Sequence, residues 1–368
     1  MKSLYFTRFL PTWDLGGGSR RLMQVWAILQ DLGCELRTSA RGEGLGADRL
    51  RRLEKGGNWL QRRRLRSWAA GRRPAVFRLR EISRAWSRDD EIGAGIDLAF
   101  LDDPIYFLPL FETLERRGVP IVAVCHNLES LVPSQVEKPY AGELLRQELD
   151  VLSRCRLVVT ISREESWLLN NTGIANCFFP YYPLPPVLDR LLAVRRLRSQ
   201  RPGSGGVLLL ANAKNPQSGQ GARQAIAAWR RLRLAPRFGP LLVAGFHSER
   251  IFAPELFDQQ VRLLGTLENS RLDELLAQVS ACLCHQENGG GALTRITEML
   301  VAGVPVVASA HAARSHHGTP GLIEFNELDE LEQALHSLRG SAGTPPPPAP
   351  DPAPLLAAIQ RILGADPS

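Results

Sequence analysis

The sequence predicts an α/β protein of two doubly wound parallel-sheet domains, and three observations carry that reading. Strand-like and helix-like segments alternate in two successive blocks along the 368 residues. A stretch with four prolines, Phe178–Pro186 (FFPYYPLPP), separates the blocks. Val119–Cys125 and Leu157–Ile161 are nearly unbroken apolar runs, as parallel strands covered on both faces require. Ligands in such sheets bind outside the carboxyl ends of the strands.

In the first block, Ser3–Phe9 reads as a strand and a helix starts at Ser19. Its apolar positions Leu22, Val25, Trp26 and Leu29 follow the 3.6-residue period until Gly33. Cys34–Thr38 is the next strand, followed by a basic insertion at 41–88 with helical pieces broken at Gly56-Gly57 and Gly71. Asp97–Leu101 is a strand, Leu108–Arg117 a helix, Val119–Cys125 a strand, Glu143–Arg154 a helix and Leu157–Ile161 a strand. The domains are thus expected at 1–180 and 181–341. After the proline junction an Arg/Gly-rich loop is expected, then strand Val207–Ala211 and a helix from about Ala222 to Leu232. Strand Leu241–Ala244, helix Ser270–Gln278 and strand Ala281–His285 follow. Leu322–Phe325 and a helix Glu327–Leu338 complete the block. Residues 342–354 are a Pro-rich spacer, extended by composition, and 355–368 hold a short amphipathic helix, Leu355–Leu363, and a tail.

A hydrophobic fraction of 44% excludes a wholly disordered chain. No run reaches the roughly 20 apolar residues that span a bilayer, and MKSLYFTRFLPTW has too short an apolar run for a signal peptide. The six cysteines are scattered without metal-type spacing, so reduced thiols and a cytoplasmic protein are expected. Net charge is concentrated. Between Arg49 and Arg88 lie fourteen Lys or Arg against Glu54 and Glu81 alone, more than the whole chain's net +7. With Trp59, Trp68 and Trp86 interleaved, this segment fits peripheral contact with an anionic membrane. A solvated helical face is the plain alternative, and nucleic acid is the least favoured partner.

The most informative segment is Gly289–Ser309, GGGALTRITEMLVAGVPVVAS. Three glycines precede an amphipathic helix that stops at Gly303 and passes into an apolar strand. Unpaired N–H groups at a glycine-rich helix start suit an anion. Arg295 and Glu298, one turn apart on one face, could serve a second phosphate and a sugar hydroxyl.

This segment resembles the donor-binding signature of GT-B fold glycosyltransferases, in particular the family 4 retaining enzymes. LLVAG (Leu241–Gly245) and VRLLGTLENSRLDELLAQVSACL (Val261–Leu283) follow that family's order. DLGGGSRRLMQVWAILQDLG resembles its glycine-rich first loop and helix, VAVCHNLESL its cleft-histidine segment, and LVVTISREESWLL its last N-domain strand and helix. The resemblance covers most of residues 1–338. It implies a GT-B architecture of two Rossmann-like domains facing a cleft, and transfer of a hexosyl group from a nucleotide-diphosphate sugar to a glycan or lipid-linked acceptor with retained configuration. No separate cofactor is implied, and no metal: Asp102-Asp103 lacks the DxD pattern.

Residue by residue, the resemblance places Gly290 and Gly291 against the donor diphosphate, with Arg295 the basic residue on that helix and Glu298 the ribose-binding carboxylate. Gly16, Gly17 and Gly18 would approach the donor phosphate or the acceptor; three glycines before Ser19 also read as a flexible turn. His126 takes the place of the cleft histidine, touching the donor sugar beside the departing phosphate; a structural hydrogen-bonding role is the alternative. Ser162 either meets the acceptor or caps the following helix, and Asp14 is placed at the acceptor. Lys214 would neutralise the leaving phosphate, ahead of Arg223. One departure stands out. The family's first glutamate, separated from its second by seven intervening residues, falls on Gly290, and Glu287 lies three residues early. A sugar-nucleotide epimerase of the same fold and a catalytically silent binding protein therefore remain as alternative readings.

Overall fold

A computed structural model describes residues 2–7, 11–13, 16–38, 95–132, 141–201, 203, 205–212, 215–251, 253–338 and 344–364. The basic segment 49–88, Asp14 and Lys214 lie outside the described residues. Packing divides the chain into two compact units. The first holds Met1–Thr12, Val25–Pro180 and Asp351–Ser368; the second holds Trp13–Gln24 and Tyr181–Pro350.

The first unit is a six-stranded parallel sheet. Its strands are β1 (Ser3–Thr7), β2 (Glu35–Thr38), β3 (Leu98–Asp102), β4 (Ile121–Val124), β5 (Leu157–Thr160) and β6 (Asn176–Phe178), in the order β2-β1-β3-β4-β5-β6. Every residue of β1, β3, β4 and β5 is buried, whereas the edge strands β2 and β6 are partly exposed. This is why the central strands read as continuous apolar runs. Helix α1 (Gly17–Asp31) precedes β2; α2 (Leu108–Arg116), α3 (Ala141–Ser153) and α4 (Arg163–Asn171) connect the later strands. Leu110, Phe111 and Leu114 of α2 and Leu144, Val151 and Leu152 of α3 join Leu4, Leu101, Ala123 and Val158 of the sheet in one core.

The second unit repeats the plan. Strands β7 (Val207–Leu210), β8 (Leu241–Ala244), β9 (Val261–Gly265), β10 (Ala281–Cys284), β11 (Val306–Ser309) and β12 (Leu322–Phe325) pair in parallel in the order β12-β11-β10-β7-β8-β9. The longer helices are α5 (Val187–Gln200), α6 (Pro216–Arg231), α7 (Asn269–Gln278), α8 (Thr294–Val301) and α9 (Leu331–Ser337). A final helix α10 (Ala353–Gly364) buries Leu355, Ala358 and Ile359 and packs near β5 and β6 of the first unit. No described helix is long and apolar enough to cross a membrane.

The two sheets realise the doubly wound α/β fold class read from the sequence. Strand order reverses between β1 and β3 in the first sheet and between β7 and β10 in the second. Loops leaving neighbouring strands in opposite directions open a crevice at such points. The segments after β7 and β10 are therefore the first places to look for a site.

Two expectations need correction. The Arg/Gly-rich loop expected after the proline junction is largely the 14-residue helix α5. Its arginines obscured the pattern because two of them serve the interior. Arg198 donates to Leu276 O at 2.7 Å, Val279 O at 2.6 Å and Gly303 O at 2.8 Å, the carbonyls where α7 and α8 end. Arg195 does the same for Leu300 O and, at 2.7 Å, Val301 O. The last carbonyls of a helix lack internal partners, and these guanidinium groups supply them. Burial lowers the Arg198 pKa to about 10, so it stays charged at neutral pH. Helix α6 also begins about six residues before its expected start, because Asn215 caps it, accepting from Ser218 N at 3.0 Å, with Pro216 at its first position.

Replacing Arg198 by Met keeps the length of the side chain and strands three buried carbonyls. Unfolding in urea is expected to show a loss of about 3 kcal/mol or more, with Arg198→Lys intermediate.

Candidate functional site

The strand β10 ends at Cys284, and the chain then runs through His285–Leu293 before α8 begins at Thr294. The three glycines therefore form a loop ahead of the helix rather than its first turn, with Gly289 and Gly291 at φ 119° and 65°, where only glycine is unstrained. Their carbonyls are all drawn to one side. His311 Nε2 donates to Gly289 O at 3.2 Å, Arg314 Nη2 donates to Gly290 O, and Arg314 Nε donates to Gly291 O at 2.8 Å. The third Arg314 nitrogen donates to His311 O at 2.7 Å. A trans peptide points its N–H opposite to its C=O. Fixing these three carbonyls thus sets the N–H groups of Gly290, Gly291 and Ala292 pointing away from His311 and Arg314. The buried Arg314 cation adds a positive charge behind the loop.

Within α8, Arg295 and Glu298 do not form the surface pair that their spacing allows. Arg295 Nη1 donates to Ser218 Oγ at 3.1 Å, on the first turn of α6 behind β7, so the two loops at the switch point are tied together. Glu298 turns to other partners. Arg20 Nη1 donates to its Oε2 at 2.6 Å and Tyr181 Oη donates to its Oε1 at 2.7 Å. The Glu298 side chain is only 7% exposed. Burial first, and the Glu298 charge second, push the Tyr181 phenol well above its ordinary pKa, so it remains a donor. Gly17 lies against Thr294: a Cβ built on Gly17 would sit 1.9 Å from Thr294 Oγ1. Gly16 and Gly18 show no such crowding.

In the first unit, His126 follows β4, and its loop is held almost wholly by carboxylates. Its Nε2 is 2.9 Å from Asp102 Oδ1, and its backbone N–H donates to Asp103 Oδ1 at 3.0 Å. Leu128 N donates to Glu165 Oε1 at 3.1 Å and Glu129 N to Glu148 Oε1 at 2.8 Å. Ser130 donates from N at 2.9 Å and from Oγ to Glu148 Oε2. Tyr106 Oη donates to Glu129 Oε2 at 2.7 Å. Asp102, Asp103 and His126 offer ligand atoms within 4.8 Å of one another, the one such triplet of metal-type side chains among the described residues. The sequence pointed to no metal there, because only the fold adds His126 to the Asp102-Asp103 pair.

The structure thus gathers Gly290, Gly291, Arg295 and Glu298 at one end of the second sheet, with Gly17 against the same helix. Ser162 caps α4, accepting from Glu165 N at 3.3 Å and donating to Glu164 Oε2 at 2.9 Å. Sequence reasoning missed Arg20, Tyr181, Arg314, Glu148 and Glu165. Arg20 follows the glycine trio directly, which was a usable local signal. The others become informative only through partners brought near by folding.

Burial raises the Glu148 carboxyl to about 7, against hydrogen bonds from Ser130 and Glu129 that lower it. Because the folded value lies above the unfolded one, the proton favours the folded state. The contribution is complete below the unfolded pKa of about 4.5 and is lost as pH rises through 7. Stability is expected to fall by about 2 to 3 kcal/mol from this group between about pH 5 and pH 8. Denaturation of Glu148→Gln over that range should show the decline flattened.

No protein-family model matches the sequence, and no curated protein matches it. Solved structures match the fold. Sucrose-phosphate synthase from Thermosynechococcus elongatus aligns over 93% of this chain and 91% of its own at 15% identity, TM-score 0.62. HepE of Anabaena, solved in complex with UDP, aligns over 94% and 92% at 16% identity, TM-score 0.60. An α,α-trehalose 6-phosphate synthase from Burkholderia multivorans aligns over 98% and 92% at 14% identity, TM-score 0.55. The chain has the fold of GT-B glycosyltransferases.

Proposed function

We propose that this protein is a glycosyltransferase that moves a hexosyl group from a nucleoside-diphosphate sugar to a glycan or lipid-linked acceptor, with retention of configuration. The observation that carries the reading is the Gly289–Gly291 loop, whose carbonyls are bound by Arg314 and His311 at the switch point of the second sheet. A nest of N–H groups backed by a buried guanidinium suits a diphosphate. The fold neighbour HepE, solved with UDP and with UDP-glucose, supports a nucleotide sugar as the ligand class.

In this reading Gly290 and Gly291 take the diphosphate, and Arg295 adds positive charge from α8. Glu298 accepts from the ribose hydroxyls, and Lys214 neutralises the leaving phosphate. His126, on the first unit, meets the donor sugar. Gly16–Gly18, Asp14 and Ser162 serve the donor phosphate or the acceptor. During transfer the bond from the anomeric carbon to the phosphate oxygen breaks, and the acceptor oxygen takes its place and gives up its proton. The diphosphate leaves with the negative charge that the loop is built to receive. Catalysis is then positioning plus electrostatic stabilisation of the leaving group.

A second reading, a nucleotide-sugar-binding protein without turnover, is favoured by one feature: Gly290 stands where the related enzymes carry a glutamate. The two are separated by a screen of UDP-, GDP- and ADP-sugars. A donor at about 100 times its dissociation constant should stabilise the protein by roughly 2.7 kcal/mol, and slow hydrolysis of that donor supports the transferase. Binding with no hydrolysis and no transfer supports the silent protein. Arg314→Met is expected to weaken nucleoside diphosphate binding tenfold or more in calorimetry, because the loop loses two of the three hydrogen bonds that hold its carbonyls. For the acceptor side, the basic, Trp-bearing segment 49–88 should carry the protein up with anionic vesicles at low salt in a flotation assay. Its absence from the vesicle fraction would count against a lipid-linked acceptor at a membrane.

A further inference from the structure

The first turn of α1 and the first turns of α8 lie side by side, both within the second unit. Gly17 meets Thr294 so closely that any side chain at 17 would collide with its hydroxyl. One turn along, Arg20 meets Glu298 at 2.6 Å. Tyr181, at the start of the chain's second long segment in this unit, closes the other carboxylate oxygen at 2.7 Å. Arg20 is itself steadied, its Nε donating to Trp13 O at 3.1 Å.

We propose that Arg20 and Tyr181 are positioning residues that hold Glu298 in the one orientation able to accept both ribose hydroxyls of a nucleotide, and that Gly17 is small so that Arg20 can reach. The proposal rests on the reading of Glu298 as the ribose ligand. Each carboxylate oxygen has two lone-pair directions. Arg20 and Tyr181 take one on each, leaving one on each for the ribose 2′- and 3′-hydroxyls. A fixed acceptor pair loses no side-chain freedom when the ribose arrives, whereas a loosened glutamate must be ordered at that moment, at a cost in affinity. Tyr181 keeps its proton to donate, and Arg20 sets a guanidinium directly against the buried carboxylate.

The test compares UDP with 2′,3′-dideoxy-UDP by calorimetry on the full chain. The wild type is expected to prefer UDP at least tenfold. Tyr181→Phe removes only the hydroxyl, and Arg20→Met removes the guanidinium. Both should bring the preference to about twofold by weakening UDP, with dideoxy-UDP unchanged and the thermal transition still cooperative. Arg20→Lys should restore part of it. Gly17→Ala should behave like Arg20→Met, and adding Thr294→Ala, which removes the colliding hydroxyl, should recover the preference. Variants that fold and keep the full preference overturn the positioning role while leaving the ribose contact intact. A wild type that binds both nucleotides equally overturns the ribose role of Glu298 and this proposal with it. A wild type that binds no UDP, GDP or ADP overturns the donor site itself.

Discussion

A loop at the end of a buried parallel strand leaves the ladder with its peptide groups unpaired, and an unpaired buried peptide group costs about as much as a lost hydrogen bond. In this protein charged side chains meet that demand. Arg314 takes the carbonyls after β10, Glu148 and Glu165 take the amides after β4, and Arg195 and Arg198 take the carbonyls where α7 and α8 end. These groups bond to backbone, so their charges set the chain's path rather than neutralise one another. The positions of both candidate site loops depend on it.

The same device sets the chemistry on the other side of each loop. Arg314 and His311 hold the glycine-loop carbonyls and turn its amide hydrogens the other way. Carboxylates around Asn127–Ser130 bind amide hydrogens inward and leave His126 beside Asp102. The two units are built from the same doubly wound plan, and one loop in each is held by the opposite kind of side chain, acidic after β4 and basic after β10.

The fold was legible because its signals are local. The apolar runs of β4 and β5, the 3.6-residue spacing of Leu22, Val25 and Leu29, and the strand Leu241–Ala244 announce themselves within a few residues. Helix α5 was not legible as a helix, since Arg198, buried, and Arg195, half-buried, read as solvent-facing charge. The site was legible in part. Gly290, Gly291, Arg295 and Glu298 stand in one motif, which falls on the loop after β10 and on helix α8. The motif did not show that the glycines precede the helix, nor that Arg295 and Glu298 face different partners.

What the sequence by itself determined was the layered architecture, the order of its elements and the address of the glycine loop after β10. Periodicity, glycine and proline act on neighbouring residues, so their consequences can be read along the chain. What only the tertiary structure decided was which side chains hold that loop and its helix. Arg20 lies 278 residues from Glu298 and Tyr181 lies 117 from it, while Arg314 binds carbonyls 23 and 24 residues back. A hydrogen bond needs its partners within about 3 Å, and over such separations only the packing of the folded chain brings them there.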